Sequence, residues 1–167
     1  MKKMVVTITC LIIVLVSFTL ISNYRLHPVS GTSMEEKIRD GDQVLVNKRS
    51  TIERYDVVGF SLCGESDLYV KRVIGMPGDK IIVAHQTMVI NLNEKGDFST
   101  TYKIQLSKTA AEKLKNQTVI PKGQYFLLGD HLDVSKDSRT FGLVSKSLIE
   151  GKIQLRLFPF NRINTIS

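Results

Sequence analysis

The chain of 167 residues carries a formal charge of +7 and is 43% hydrophobic, enough for one domain with a real core and too short for two large ones. Its two cysteines, Cys10 and Cys63, stand far apart, one of them inside an apolar run, which excludes a disulfide-built secreted scaffold. The basic excess fits a solvated surface first and attraction to anionic phospholipid headgroups second; nucleic acid is not an expected partner, since no basic motif is interleaved with aromatic residues.

In chain order, Lys2 and Lys3 precede residues 4–21, which are nearly all apolar and relieved mainly by Thr7, Thr9, Ser17 and Thr19. That run is about the length a helix needs to cross a bilayer core of ~30 Å, and its hydroxyls can bond back to helical carbonyls. Basic residues ahead of the run, with only Arg25 close behind it, predict a cytoplasmic N-terminus (residues 1–3) and a chain that continues outside the cell membrane. The competing reading is a cleaved secretory signal. The run is longer than a usual signal core, and Ser22-Asn23-Tyr24-Arg25 makes a poor small-x-small cleavage site, so an uncleaved single-pass anchor is expected. A thiol in the membrane and one outside it do not pair. Residues 22–29 read as a juxtamembrane connector and residues 30–167 as one extracytoplasmic domain.

That domain reads as mainly β. Short alternating or apolar segments fall at 43–47, 57–60, 68–74, 79–83, 87–92, 125–128 and 152–158, divided by turn signals such as Asp40-Gly41-Asp42, Pro77-Gly78-Asp79, Glu94-Lys95-Gly96-Asp97 and Pro121-Lys122-Gly123. Many short strands at this spacing predict a folded antiparallel sheet, barrel-like. One helix is expected at 109–115, within an insertion, and residues 85–119 carry the fewest signals.

Three segments carry chemistry. In Tyr69-Val70-Lys71-Arg72-Val73-Ile74, a strand places Tyr69, Lys71 and Val73 on one face and Val70, Arg72 and Ile74 on the other. A lysine turned inward among apolar groups loses hydration of its charged form, which lowers its pKa toward the range of a working base. The alternative is an edge-strand lysine that snorkels to water. Ser33 lies in Ser30-Gly31-Thr32-Ser33-Met34. Gly31 permits close approach of backbone or substrate, Thr32 and Met34 flank the hydroxyl, and the three are expected to line the oxyanion and substrate cleft. A serine hydroxyl needs a neighbouring base to act as a nucleophile. The third segment, Gly129-Asp130-His131-Leu132-Asp133-Val134-Ser135-Lys136-Asp137-Ser138-Arg139-Thr140-Phe141-Gly142, reads as a hydrogen-bonded loop with charges close enough to pair, or as a solvated turn.

Together, in order and behind an anchor, these segments resemble the type I signal peptidases of bacteria, in their Gram-positive form: membrane-bound peptidases with a Ser-Lys dyad. The resemblance runs from the anchor to Phe160. It implies Ser33 as nucleophile, Lys71 as general base, Ser135 as the hydroxyl orienting the lysine amine, and Asp137 with Arg139 as a supporting ion pair, with Asp130 and Ser138 as further support. It also implies a mostly antiparallel β domain close to the membrane surface, and exported preproteins with small residues one and three positions before the cut as substrates. No cofactor is expected, and no His/Cys/acid spacing suggests a metal. Two departures stand out. Where the family follows Ser-Met with x-Pro-Thr-Leu, this chain has Glu35-Glu36-Lys37-Ile38, and where it follows Gly-Asp with Asn-Arg, this chain has His131-Leu132. They leave open a specialised role, or a non-catalytic one in binding pilin or other surface subunits during assembly. A Ser-His triad through His131 is disfavoured, since Asp133 beside it in sequence does not build a relay. A self-cleaving repressor is disfavoured by the anchor.

Overall fold

Residues 2–35, 37–62, 64, 68–93 and 98–166 are described by a computed structural model. Glu36, Cys63 and the turn expected at 94–97 lie outside them. The apolar run forms helix α1 (Lys2–Asn23), long and apolar enough to cross a membrane and with no residue buried against the rest of the chain. As expected, its hydroxyls bond back: Thr7, Thr9 and Thr19 donate to the carbonyls of Lys3, Val5 and Leu15 at 3.0, 2.9 and 2.9 Å.

The strands that follow are β1 (Tyr24–Pro28), β2 (Gln43–Asn47), β3 (Val57–Phe60), β4 (Tyr69–Gly75), β5 (Ile81–Ala84), β6 (Thr87–Asn91), β7 (Thr101–Gln105), β8 (Gln124–Leu128), β9 (Val144–Ser145), β10 (Ile149–Phe158) and β11 (Asn164–Thr165), with helices α2 (Lys108–Leu114) and α3 (Ser138–Phe141). Every pairing among them is antiparallel. The larger sheet runs β1-β2-β10-β3-β4-β8-β9, with β11 beside β10, and curls into a half-barrel; β5-β6-β7 form a separate three-stranded meander. The fold is thus the mainly antiparallel β architecture behind one apolar helix that the segment spacing predicts. Strand β10 turns the sheet's corner. Its later half pairs with β2 and its earlier half with β3, with register shifts in both ladders, and such irregularities bend a strand.

Two differences from the sequence reading have clear causes. The expected connector is strand β1, which pairs residue for residue with β2 from Tyr24↔Asn47 to Pro28↔Gln43. Tyr-Arg-Leu-His-Pro shows no apolar alternation, so only its partner reveals it. All four residues of β3 are buried, and β4 is buried except at Tyr69 and Arg72. Both sheet faces there are covered, by one cluster around Val29, Met34, Val57, Val70 and Ile153 and another around Val58, Phe60, Val73 and Leu127. A strand covered on both faces loses alternation. The meander has its own core, in which Ile81, Met88, Ile90 and Ile104 pack with Ala110 and Leu114 of α2. Ser107 caps that helix by accepting the Ala110 N–H at 3.1 Å.

Asp42, fully buried, closes the half-barrel at the foot of β2. It accepts the Arg39 N–H at 2.8 Å and Arg162 at 2.6 Å, and Arg156 lies 3.6 Å away. Arg156 also donates to the Lys37 carbonyl. Removing Asp42 takes the carboxylate from the half-buried Arg162 and the buried Arg156, so Asp42→Ala is expected to lower stability by about 3 kcal/mol. Urea unfolding of the detergent-solubilised chain measures this, and a change within ~0.5 kcal/mol contradicts it.

Candidate active site

Strand β4 lies between β3 and β8, and its Lys71 stands opposite Val58. The side chain is 3% exposed. Its Nζ lies 2.6 Å from Ser33 Oγ and donates to the Val70 carbonyl at 2.8 Å. Burial lowers the pKa of this amine from 10.5 to about 8, while the carboxylates of Asp137 and then Asp130 pull the other way. Arg72, next along the strand, turns outward. It grips Asp130 through two contacts of 2.8 and 2.7 Å and donates to the Tyr55 carbonyl at 2.7 Å.

Ser33 sits in a turn pinned from beneath by Met34 and Ile38, at 1% and 0% exposed. Within it, Glu35 N–H donates to the Thr32 carbonyl and Ile38 N–H to the Met34 carbonyl. Gly31 has φ +93°, which a side chain rarely tolerates, and its N–H donates to Asp40 Oδ1 at 2.8 Å. Asp40 and Asp42, which read from sequence as turn residues, therefore hold the loop from two sides.

The third segment docks above this turn. Asp137 is fully buried and accepts from Gly129 N–H at 3.1 Å and from the Arg139 guanidinium at 2.8 and 2.9 Å. Arg139 in turn donates to the carbonyls of Leu132 and Ser135 at 2.6 and 3.3 Å. The Ser138 hydroxyl accepts the Leu127 N–H at 2.9 Å, fastening α3 to β8. His131 N–H donates to the Ser33 carbonyl at 3.0 Å, so the loop rests directly on the serine. Ser135 comes to the same place by a different contact from the one expected. Its hydroxyl is buried with no hydrogen-bond partner among the described residues, and it packs so tightly on Gly129 that a Cβ there would collide with it and with the Ser33 carbonyl. The His131 ring lies 3.8 Å from Glu35, not on Ser33.

Ser33 and Lys71 open onto a cleft of about 620 Å³, walled by Gly31, Thr32, Met34, Leu68 and Val70 and reaching Arg25, His27 and Glu150. The last three were missed in the sequence. Their only signal is a pair of basic residues in an unassigned segment and an acid 123 positions beyond His27.

Comparison with known proteins groups the chain with signal peptidases. The family model for signal peptidase, peptidase S26, matches residues 1–158. Signal peptidase IB of Staphylococcus aureus (strain Mu50) is 39% identical over 153 residues, covering 81% of this chain and 78% of that one. Signal peptidase I of Bacillus caldolyticus is 35% identical over 152 residues, covering 84% and 81%. A crystal structure of a signal peptidase I from Enterococcus faecalis V583 is similar at a TM-score of 0.42 and 27% identity, over 62% of this chain and 97% of that one.

Lys71 is expected to titrate near pH 8, well below an exposed lysine. NMR of 13C-labelled lysines, with Lys71→Arg to assign the resonance, measures it. A midpoint above about 10 contradicts a buried amine.

Proposed function

The chain belongs to the signal peptidase family, peptidase S26, serine peptidases that remove signal peptides from preproteins, and on that premise we propose that Ser33 is its nucleophile and Lys71 its general base. The observation that carries the reading is the 2.6 Å contact between a buried, pKa-lowered amine and a serine hydroxyl at the floor of a cleft.

With Lys71 neutral, the Ser33 O–H donates to Nζ, and Nζ keeps its own bond to the Val70 carbonyl. Attack of Oγ on the scissile carbonyl passes the serine proton to Lys71. The Ser33 N–H, for which no acceptor lies among the described residues, is placed to stabilise the oxyanion. The ammonium then gives its proton to the leaving amine, and water, activated by the same lysine, clears the acyl-enzyme. For Ser135 the family resemblance alone supports orienting the lysine amine, since its hydroxyl packs on Gly129 without a bond to Nζ. Asp137, Ser138, Arg139 and Asp130 hold the loop that presents it. Docking pilin or other surface subunits without cutting gives no reason to bury Lys71 against Ser33, which favours the peptidase over that reading.

Residues 1–3 are assigned to the cytoplasm, 4–21 to the span and the β domain to the outer side, on the strength of Lys2 and Lys3 ahead of α1. Tethering enzyme and signal peptide to one bilayer raises their effective concentration. Protease added to spheroplasts is expected to digest the β domain; full protection reverses the orientation.

Ser33→Ala and Lys71→Ala are each expected to cut preprotein cleavage by about a thousandfold or more. His131→Ala is expected to stay within about tenfold, since it touches Ser33 only through its backbone. Cleavage is expected to rise with pH through about 8 as Lys71 loses its proton. Retained cleavage in Lys71→Ala, with loss in His131→Ala, sinks the dyad.

A further inference from the structure

The far wall of the cleft carries charge that the dyad does not use. Glu150, at the start of β10, points toward β1, where its Oε2 lies 2.8 Å from His27 Nε2 and its Oε1 3.3 Å from the Arg25 guanidinium. All three line the same cleft as Ser33 and Lys71, and Glu150 is the sole acid among the described residues that line it.

This cluster is built unlike the chain's structural ion pairs. Arg54 holds Asp79, Arg72 holds Asp130 and Arg139 holds Asp137, each through two short bonds. Glu150, in contrast, receives one long contact from an arginine side chain that is 62% exposed. Its other oxygen, Oε2, lies against the buried His27 Nε2 at 2.8 Å and is fixed there, which leaves Oε1 to Arg25 alone. Here one carboxylate oxygen, on the wall of the cleft, is held only by an exposed and exchangeable arm.

We propose that Glu150, set by His27, forms a subsite that selects a basic side chain, lysine or arginine, at one position of the preprotein near the scissile bond. The inference rests on the cleft being the peptidase site. An incoming ammonium or guanidinium displaces Arg25 from Oε1, and a substrate carboxylate meets Glu150 as a like charge. Elsewhere the cleft is cationic, with Lys136 over the Tyr69 ring at 5.8 Å, so preference for a basic residue is confined to the position that reaches Glu150.

The test uses the full-length detergent-solubilised chain and peptides spanning one cleavage site, with lysine or glutamate placed in turn at each of the positions flanking the cut. The wild type is expected to show a kcat/KM ratio of lysine to glutamate of at least about fivefold at one position, and a ratio at or below one elsewhere. Glu150→Gln is expected to bring that ratio to about one. Arg25→Ala, at an exposed side chain, is expected to raise it, because the carboxylate is released from its competitor. Peptide affinities for Ser33→Ala chains with and without Glu150→Gln read the same ratio without turnover, which separates failure of the subsite from failure of the dyad. Ratios unchanged by both Glu150→Gln and Arg25→Ala at every position overturn the proposal.

Discussion

Keeping Lys71 dehydrated is the constraint on which the site depends. An exposed lysine is an ammonium at neutral pH and has no lone pair for a serine proton. Here burial does the work, and it is needed against opposition, because Asp137 and Asp130 both lie near enough to favour the charged form. Each of these acids is held at two points by its own arginine, Arg139 and Arg72. A carboxylate so paired presents a smaller net field to a third group. The two ion pairs that brace the loops therefore also keep those acids from restoring the charge on the lysine.

The same economy governs Ser33. Its turn has no fixed proline after the nucleophile, and its geometry is imposed from outside instead. Met34 and Ile38 root it in the core, Asp40 holds Gly31, and the His131 N–H takes the Ser33 carbonyl. Gly129 lets the distal loop approach closely enough for this, since any side chain there would strike Ser135 and Ser33 together. Glu35 and His131 fall on opposite sides of this junction, 3.8 Å apart.

How far the sequence announced this depends on the range of each interaction. Asp137 and Arg139 are two residues apart and pair, so a local motif displays them. Ser33 and Lys71 are 38 residues apart, and only the order of three segments behind an anchor joins them. Asp42 and Arg162 are 120 residues apart and look like a turn acid and a surface base until β10 and its tail fold back over β2. Strand β1 and the His27–Glu150 contact were invisible for the same reason: neither has a periodic pattern, and both are made by a partner far along the chain. Arg54, Arg72, Arg139 and Arg162 are not free surface charge but the binding halves of partly buried ion pairs.

Strand β1 changes what the anchor does as well. Helix α1 ends at Asn23 and the strand begins at Tyr24, with no flexible segment between. His27 on the cleft wall is four residues from the helix end, and so no more than roughly 14 Å away along an extended chain. With α1 in a bilayer, the cleft's height above the membrane surface is limited by a hydrogen-bonded strand rather than by the reach of a linker. A preprotein held in the same bilayer by its own apolar segment then presents a scissile bond at a matching height. In that arrangement the limit on height comes from the β1–β2 ladder, which runs without a gap from the end of the helix to the cleft wall.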